Sequence, residues 1–279
     1  MKFYFLTIII LVNLQLYGNN PLNQELGRDS DPKTIEEISK LKIFTKKSIW
    51  TLLSLPGMRT MSDIIFPNSV ISYIQTDKKI VAFTIDDGFC GRDNPTGDML
   101  LDVIKLFEKY NAKATFFVTG THCNHTDIEN IQLLIDSGHE IANHSMYDWP
   151  YDKYSLEDFG KDFQQTDSIL SQYSDNIPKY YRAPHAKVSK TMTEFLENNG
   201  YTHIMCDGFA NDTSIPDAKW ISRFIVNRIK PGSILLIHMP EKGIREWNYE
   251  AIELTLSKLN KDGYKIVTIS ELLLNSTKN

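Results

Sequence analysis

The chain has 279 residues, a formal net charge of −5, and 42% hydrophobic and 23% charged residues, the balance of a soluble globular protein with room for one large core or two small ones. The acidic surplus argues against nucleic acid or an anionic membrane as a partner, since both favour clustered lysine and arginine. Three cysteines, Cys90, Cys123 and Cys206, allow at most one intramolecular disulfide.

The amino terminus, MKFYFLTIIILVNLQLYGNN, carries one lysine, then an apolar run over residues 3–17, then small and polar residues from Gly18. The run is short for a membrane span and is interrupted by Asn13 and Gln15, so residues 1–18 read as a secretory signal, with an uncleaved anchor as the alternative. Residues 19–75 read as a polar leader and helical arm, with a helix over 33–55 broken at Pro56-Gly57. From residue 76 onward, β-rich runs alternate with amphipathic segments. Strands are expected at 79–85, 114–118, 139–143, 179–182, 201–206, 233–238 and 265–269. Between them, residues 98–110 place Met99, Val103, Leu106, Phe107 and Tyr110 on one helical face. Ser155 opens a second helix with Asp158 three residues on. A third spans 188–199 and ends at Gly200, and a fourth carries Trp220, Phe224, Ile225 and Ile229 and stops at Pro231-Gly232. Seven strand–helix units predict a parallel sheet curled into a closed or nearly closed α/β barrel with an N-terminal arm. Cys90 and Cys123 both follow predicted strand ends and form the preferred disulfide pair.

The run KKIVAFTIDDGFC ends an apolar strand on two adjacent carboxylates, Asp86 and Asp87. Successive strand residues point to opposite faces, so both acids cannot be idle without one being poorly solvated; the alternative is an Asp-Gly turn. Other strands decide between the two. Asp86 and Asp87, His144, Arg182, Asp207 and His238 each fall at or just past the carboxyl end of a different predicted strand, where the loops of an α/β barrel converge on a site. His122, His125, His139 and His203 read as packed or solvated residues. Trp149 and Tyr147 flank Asp148 and read equally as a sugar-stacking platform or as core.

The segments TIDDG, NHSMYD, RAPH and ILLIH, in this order, resemble the polysaccharide deacetylase family, carbohydrate esterases with a NodB-like domain. The resemblance runs over roughly residues 79–274 and implies a distorted (β/α)7 barrel over 76–279. It also implies a hydrolase that removes N- or O-acetyl groups from glycans using a divalent metal, zinc first, with cobalt or manganese as alternatives, and no nucleotide cofactor. Position by position, Asp86 corresponds to the general base and Asp87, His144 and Asp148 to the metal ligands. Arg182 corresponds to the arginine that orients the base, and Pro184 fixes the loop in which an N–H near His185 faces the developing oxyanion. Leu235 lines the acetyl pocket, Trp149 contributes to the substrate surface, and His238 protonates the leaving amine with Asp212 or Asp207 behind it. Three positions depart from the family pattern. Asp148 replaces the second ligand histidine, four residues after His144 and so expected on the same side of a helical turn; His185 stands where an aromatic residue is usual; and no tryptophan follows Asp207 or Asp212. The sequence therefore reads as a secreted or cell-surface, metal-dependent deacetylase of an N-acetylated glycan such as chitin or peptidoglycan. The alternative is a catalytically impaired homologue serving as a glycan-binding or cell-surface structural protein.

Overall fold

The computed structural model describes residues 40–54, 57–65, 70–91, 94 and 97–277; the expected signal segment and most of the leader lie outside them. Its centre is strand β1 (Ile80–Gly88), buried at all nine positions. The alternation of its side chains divides the interior into two layers. Val81, Phe83 and Ile85 pack outward with Val103, Phe107, Ile252 and Leu256, whereas Ile80 and Ala82 face inward with Phe117, Ile204 and Leu236.

The other strands are β2 (Ala114–Val118), β3 (Glu140–Asn143), β4 (Tyr180–Tyr181), β5 (Thr202–His203), β6 (Gly208–Phe209), β7 (Ile234–His238) and β8 (Lys265–Val267). They form one parallel sheet in the order β5-β4-β3-β2-β1-β7-β6, with β8 pairing the amino-terminal end of β1 at Ile80–Ala82. The sheet curls: Arg182, just past β4, bonds to Thr84 and Asp86 of β1 although β3 and β2 lie between them in the sheet. The expected strand at 201–206 is shorter than predicted, and β6 after it was not anticipated, because Gly208 and Phe209 follow Asp207 with no apolar run of their own.

Helices α1 (Lys40–Leu53) and α2 (Met58–Ile65) form the arm, and α3 (Leu100–Lys109), α4 (Ile128–Asp136), α5 (Leu156–Leu170), α6 (Lys190–Asn198), α7 (Ala218–Val226), α8 (Trp247–Lys261) and α9 (Ile269–Leu273) follow. As expected, Ser155 caps α5 by accepting the Asp158 N–H. Helix α7 ends at Val226, before the Pro231-Gly232 pair expected to stop it. Helices α2, α4, α8 and α9 were not anticipated; α8 buries Ala251, Ile252, Thr255, Leu256 and Leu259. The arm packs on the barrel through Trp50, edge-on to Phe209 with ring centroids 5.3 Å apart, and through ion pairs Lys47–Asp217 and Arg59–Asp207. No helix among the described residues is long and apolar enough to cross a membrane.

The expected Cys90–Cys123 disulfide is absent, and all three cysteines are buried as thiols. Cys90 Sγ faces Glu241 Oε2 at 3.6 Å, while Cys123 is enclosed in the outer hydrophobic layer. Burial pushes the Cys123 thiol up to about 12.

Strands β5 and β6 end the sheet path, and the segment after the arm links the end of β5 to the turn before β7. Ile71 N–H donates to His203 O, Met205 N–H to Ile71 O and Ile74 N–H to Gly232 O, all at 2.8–2.9 Å. Gly232 has a φ of +81°, and a Cβ there would lie 2.2 Å from Ile74 O. Gly232→Ala is therefore expected to lower unfolding stability by about 1–3 kcal/mol, measured by urea titration. An unchanged midpoint would mean that the contact with Ile74 does not close the barrel.

Candidate active site

At the carboxyl end of β1, alternation continues the inward series Ile80, Ala82, Thr84 to Asp86, which pairs in register with His238 of β7. The same alternation would send Asp87 outward. Its backbone instead adopts a left-handed φ of +58°, rare for a residue with a side chain, and its carboxylate joins the inward-facing groups at the barrel mouth. The two aspartates thus share one cavity with different partners.

Asp86 belongs to a buried arginine. Arg182, 1% exposed, donates through Nη1 to Asp86 Oδ1 at 2.5 Å and to Thr84 Oγ1 at 2.7 Å. Its Nε and Nη2 donate to Ile204 O and Met205 O, and its guanidinium lies 4.0 Å from the Phe117 ring centroid. Every nitrogen of the fork is committed. Asp86 Oδ2 is left toward the mouth, 3.9 Å from His144 Nε2.

Asp87 belongs to a different group. His144 Nδ1 donates to Arg182 O at 2.8 Å; the carbonyl can only accept, so Nδ1 carries a proton and Nε2 is the ring nitrogen turned to the site, 3.7 Å from Asp87 Oδ1. The segment after His144 is not the expected helical turn. Ser145 has a φ of +67° and bonds to Tyr181 OH, and Asp162 of α5 accepts the Met146 N–H and the Tyr151 hydroxyl. This loop, pinned from β4 and α5, still brings Asp148 round to the same point. One ligand atom from each of Asp87, His144 and Asp148 lies within 4.8 Å of the others. Two carboxylates and a neutral imidazole nitrogen are a donor set that suits zinc, cobalt or manganese.

On the opposite wall, His238 Nδ1 lies 3.1 Å from both oxygens of Asp212, which also accepts the His238 N–H and the side chain of Asn248. Asp207, the other acid in CDGFAND, is at the wrong end of the barrel: it accepts from Arg59, Ser233 Oγ and Ile234 N–H at the start of β7. The tryptophan that does not follow Asp212 in sequence comes from α8 instead, where Trp247 Nε1 donates to Asp212 O. Leu235 does not line the mouth. It is one residue out of phase with His238 and packs outward with Phe83, whereas Leu236 shares the inward parity and faces the interior.

Pro184 is buried at the head of a turn in which His185 and Ala186 both have a φ of +54°. The His185 ring turns to Asp148, with Nε2 3.3 Å from Oδ1. Trp149 stacks on Tyr147 at 4.3 Å and packs against the Tyr151–Phe159 cluster, so it serves as core on one side. Of the histidines assigned no role, His139 sits between Phe107 and Phe116 and His203 accepts the Ala183 N–H. Burial drives both well down, to about 3. His122 is closer to the site than expected, donating from Nδ1 to Asp87 O at 3.0 Å.

The polysaccharide deacetylase family profile matches residues 73–204. An acetyl xylan esterase of family 4 from Clostridium thermocellum, solved in complex with a cobalt ion, is 31% identical over 70% of this chain and 90% of its own, with a TM-score of 0.59. This chain belongs to the polysaccharide deacetylase family. A peptidoglycan-N-acetylglucosamine deacetylase from Bacillus cereus is 27% identical over 72% of this chain and 91% of its own length. Other curated relatives are longer, and the chain spans 31% and 44% of two of them. A carbohydrate esterase family 4 pseudoenzyme from Bacillus anthracis, 22% identical over 75% of this chain and 71% of its own, has the same fold with a TM-score of 0.63.

The charge balance of this deacetylase-family site includes one residue that no motif flagged. Arg245, ahead of α8, donates to Asp87 Oδ2 at 2.8 Å. Burial opposes ionisation of Asp87, but the Arg245 guanidinium, with the charged His238 behind it, outweighs burial and holds the carboxyl well below the usual carboxylate range. For His238, burial works to lower the imidazole, and the Asp212 carboxylate more than offsets it, raising the pKa to about 9. His238 is thus a cation at neutral pH. In the metal-free protein its ring resonances should titrate near 9, and Asp212→Asn should move that midpoint to 6.5 or below, because burial then acts with little opposition. The same raised pKa stabilises the fold fully below about 6.5 and is lost as pH rises through 9. The Asp212→Asn protein should lose that alkaline decline in melting temperature. An unchanged His238 titration would remove Asp212 as its counter-charge.

Proposed function

We propose that this chain is an exported glycan deacetylase that hydrolyses the N-acetyl groups of an N-acetylglucosamine polymer, peptidoglycan first and chitin second. The observation that carries the reading is the division of the adjacent aspartates: Asp86 is held by Arg182, and Asp87 is grouped with His144 and Asp148. The preference for peptidoglycan rests on the named relatives, and export rests on the amino-terminal sequence.

Asp87, His144 and Asp148 would hold a divalent metal, zinc before cobalt or manganese, which when bound supplies Lewis acidity toward the acetyl carbonyl and the attacking water. Asp86 has Oδ1 fixed by Arg182 and turns Oδ2 to the mouth, the position of a general base that accepts the proton of that water as oxygen bonds to the carbonyl carbon. His238, charged at neutral pH, donates its proton to the sugar nitrogen as the carbon–nitrogen bond breaks, giving acetate and a free amine. Asp212 keeps the ring oriented and stabilises it while charged. Tyr147 and Trp149, beside Asp148, offer a stacked aromatic surface for a neighbouring sugar, and the turn after Pro184 supports a backbone donor for the oxyanion.

With Asp86→Asn, acetate release from an N-acetylglucosamine oligomer or from peptidoglycan should fall by roughly 10²- to 10⁴-fold, with zinc content near that of the wild type. Equal loss of zinc would make Asp86 a ligand instead. The second reading, a catalytically impaired glycan-binding homologue, is favoured by one observation: the donor set contains two carboxylates, one of them already paired to Arg245. Zinc-loaded wild-type protein that binds the oligomer and releases no acetate would decide for it.

A further inference from the structure

Arg245 lies outside every motif that led to the site, yet its placement is highly constrained. Its side chain is 14% exposed, with Nη1 on Asp87 Oδ2 at 2.8 Å and Nη2 3.8 Å from Glu241 Oε1. Glu241 is itself 1% exposed, and its second oxygen accepts from Asn94 at 2.9 Å. Glu241 and Ile244 exchange both backbone hydrogen bonds, closing the turn that delivers the arginine. Arg245 then takes a left-handed φ of +54°, a conformation that persists in a bulky residue only where surrounding contacts enforce it. Asn248 N–H caps Arg245 O, and the Asn248 side chain bonds to Asp212 and to His238 O. The arginine is therefore tied into both walls of the site.

The charge at the donor set explains why an arginine belongs there. A set of one aspartate and two histidines carries one negative charge. With a carboxylate at position 148 the set carries two, enough to neutralise a dication and blunt its pull on a ligand. A guanidinium on Asp87 offsets the added charge within the donor set, two carboxylates and one guanidinium carrying one negative charge, and Glu241 behind the guanidinium tempers that offset. It also commits Asp87 Oδ2, leaving Oδ1, the oxygen that faces His144 Nε2, for the cation.

We propose that Arg245 is the counter-charge to Asp148, a positioning residue that holds Asp87 to one free oxygen and keeps a carboxylate-rich donor set electron-poor. The inference rests on the reading of Asp87, His144 and Asp148 as a metal centre. Because like charges repel, Arg245 should hold zinc affinity down while the bound ion remains the stronger Lewis acid.

The test is calorimetric titration of the metal-free protein with zinc, which reads the charge without reference to turnover. Arg245→Gln should tighten zinc by about tenfold or more, since a unit charge close to a buried dication is removed, while Arg245→Lys, which keeps the charge, should stay near the wild type. Glu241→Gln removes the negative neighbour of the guanidinium and should weaken zinc several-fold, an arm that remains informative if Arg245→Gln does not fold. Zinc binding that Arg245→Gln leaves unchanged or weakens, or that Arg245→Lys tightens as much as Arg245→Gln does, would overturn the counter-charge role and leave the metal centre standing. No zinc binding in the wild type or in any variant would overturn the metal centre and the inference together.

Discussion

The buried contact between Arg182 and Asp86 is the constraint on which the rest of the site depends. A guanidinium that is 1% exposed carries a large desolvation cost, offset here by one carboxylate, one hydroxyl, two backbone carbonyls and an aromatic face. Removing either partner would leave the other buried without its counter-charge, at a cost of about 3–5 kcal/mol. The contact also spans β4 to β1 across the barrel interior, so the curl of the sheet and the orientation of Asp86 are one requirement. Because Arg182 O fixes the His144 tautomer, the same residue prepares both halves of the site.

The second constraint is the backbone of Asp87. Strand alternation separates neighbouring side chains, and two acids serving one cavity from consecutive positions need a break in that alternation. The left-handed φ at Asp87 supplies it, immediately before Gly88. Once both carboxylates face the same mouth, their roles are assigned by what reaches them: an arginine from inside the barrel for Asp86, and for Asp87 a histidine, a second carboxylate and an arginine from the loop before α8. The two acids are chemically identical and differ in neighbours, which is how one short motif presents two carboxylates in different electrostatic settings.

Much of this was legible in the sequence because it is local. The alternating and continuous apolar runs located β1, β2 and β7, and the acids, histidines and arginine at strand ends located the mouth. What escaped depended on tertiary contact or on phase. Arg245, Trp247 and Asn248 act on Asp87 and Asp212 from the far end of the chain, and nothing in their local pattern marks them. Asp207 and Asp212 look equivalent in sequence, and only the position of β6 beside the start of β7 separates an acid that anchors the arm from one that holds His238. Leu235 was misplaced by a single residue, enough in a strand to turn a side chain from the mouth to the helices. The loop from His144 to Asp148 has helical spacing, but Asp162 and Tyr181 hold it in another shape that meets the same end.

The division of labour between Asp86 and Asp87 is tested most directly by anomalous diffraction from crystals of the zinc- or cobalt-loaded protein. One peak is expected, about 2.0–2.3 Å from an oxygen of Asp87, from His144 Nε2 and from an oxygen of Asp148, with Asp86 outside bonding distance and still on Arg182. A peak coordinated by Asp86, or no peak between Asp87, His144 and Asp148 in metal-loaded crystals, would contradict it.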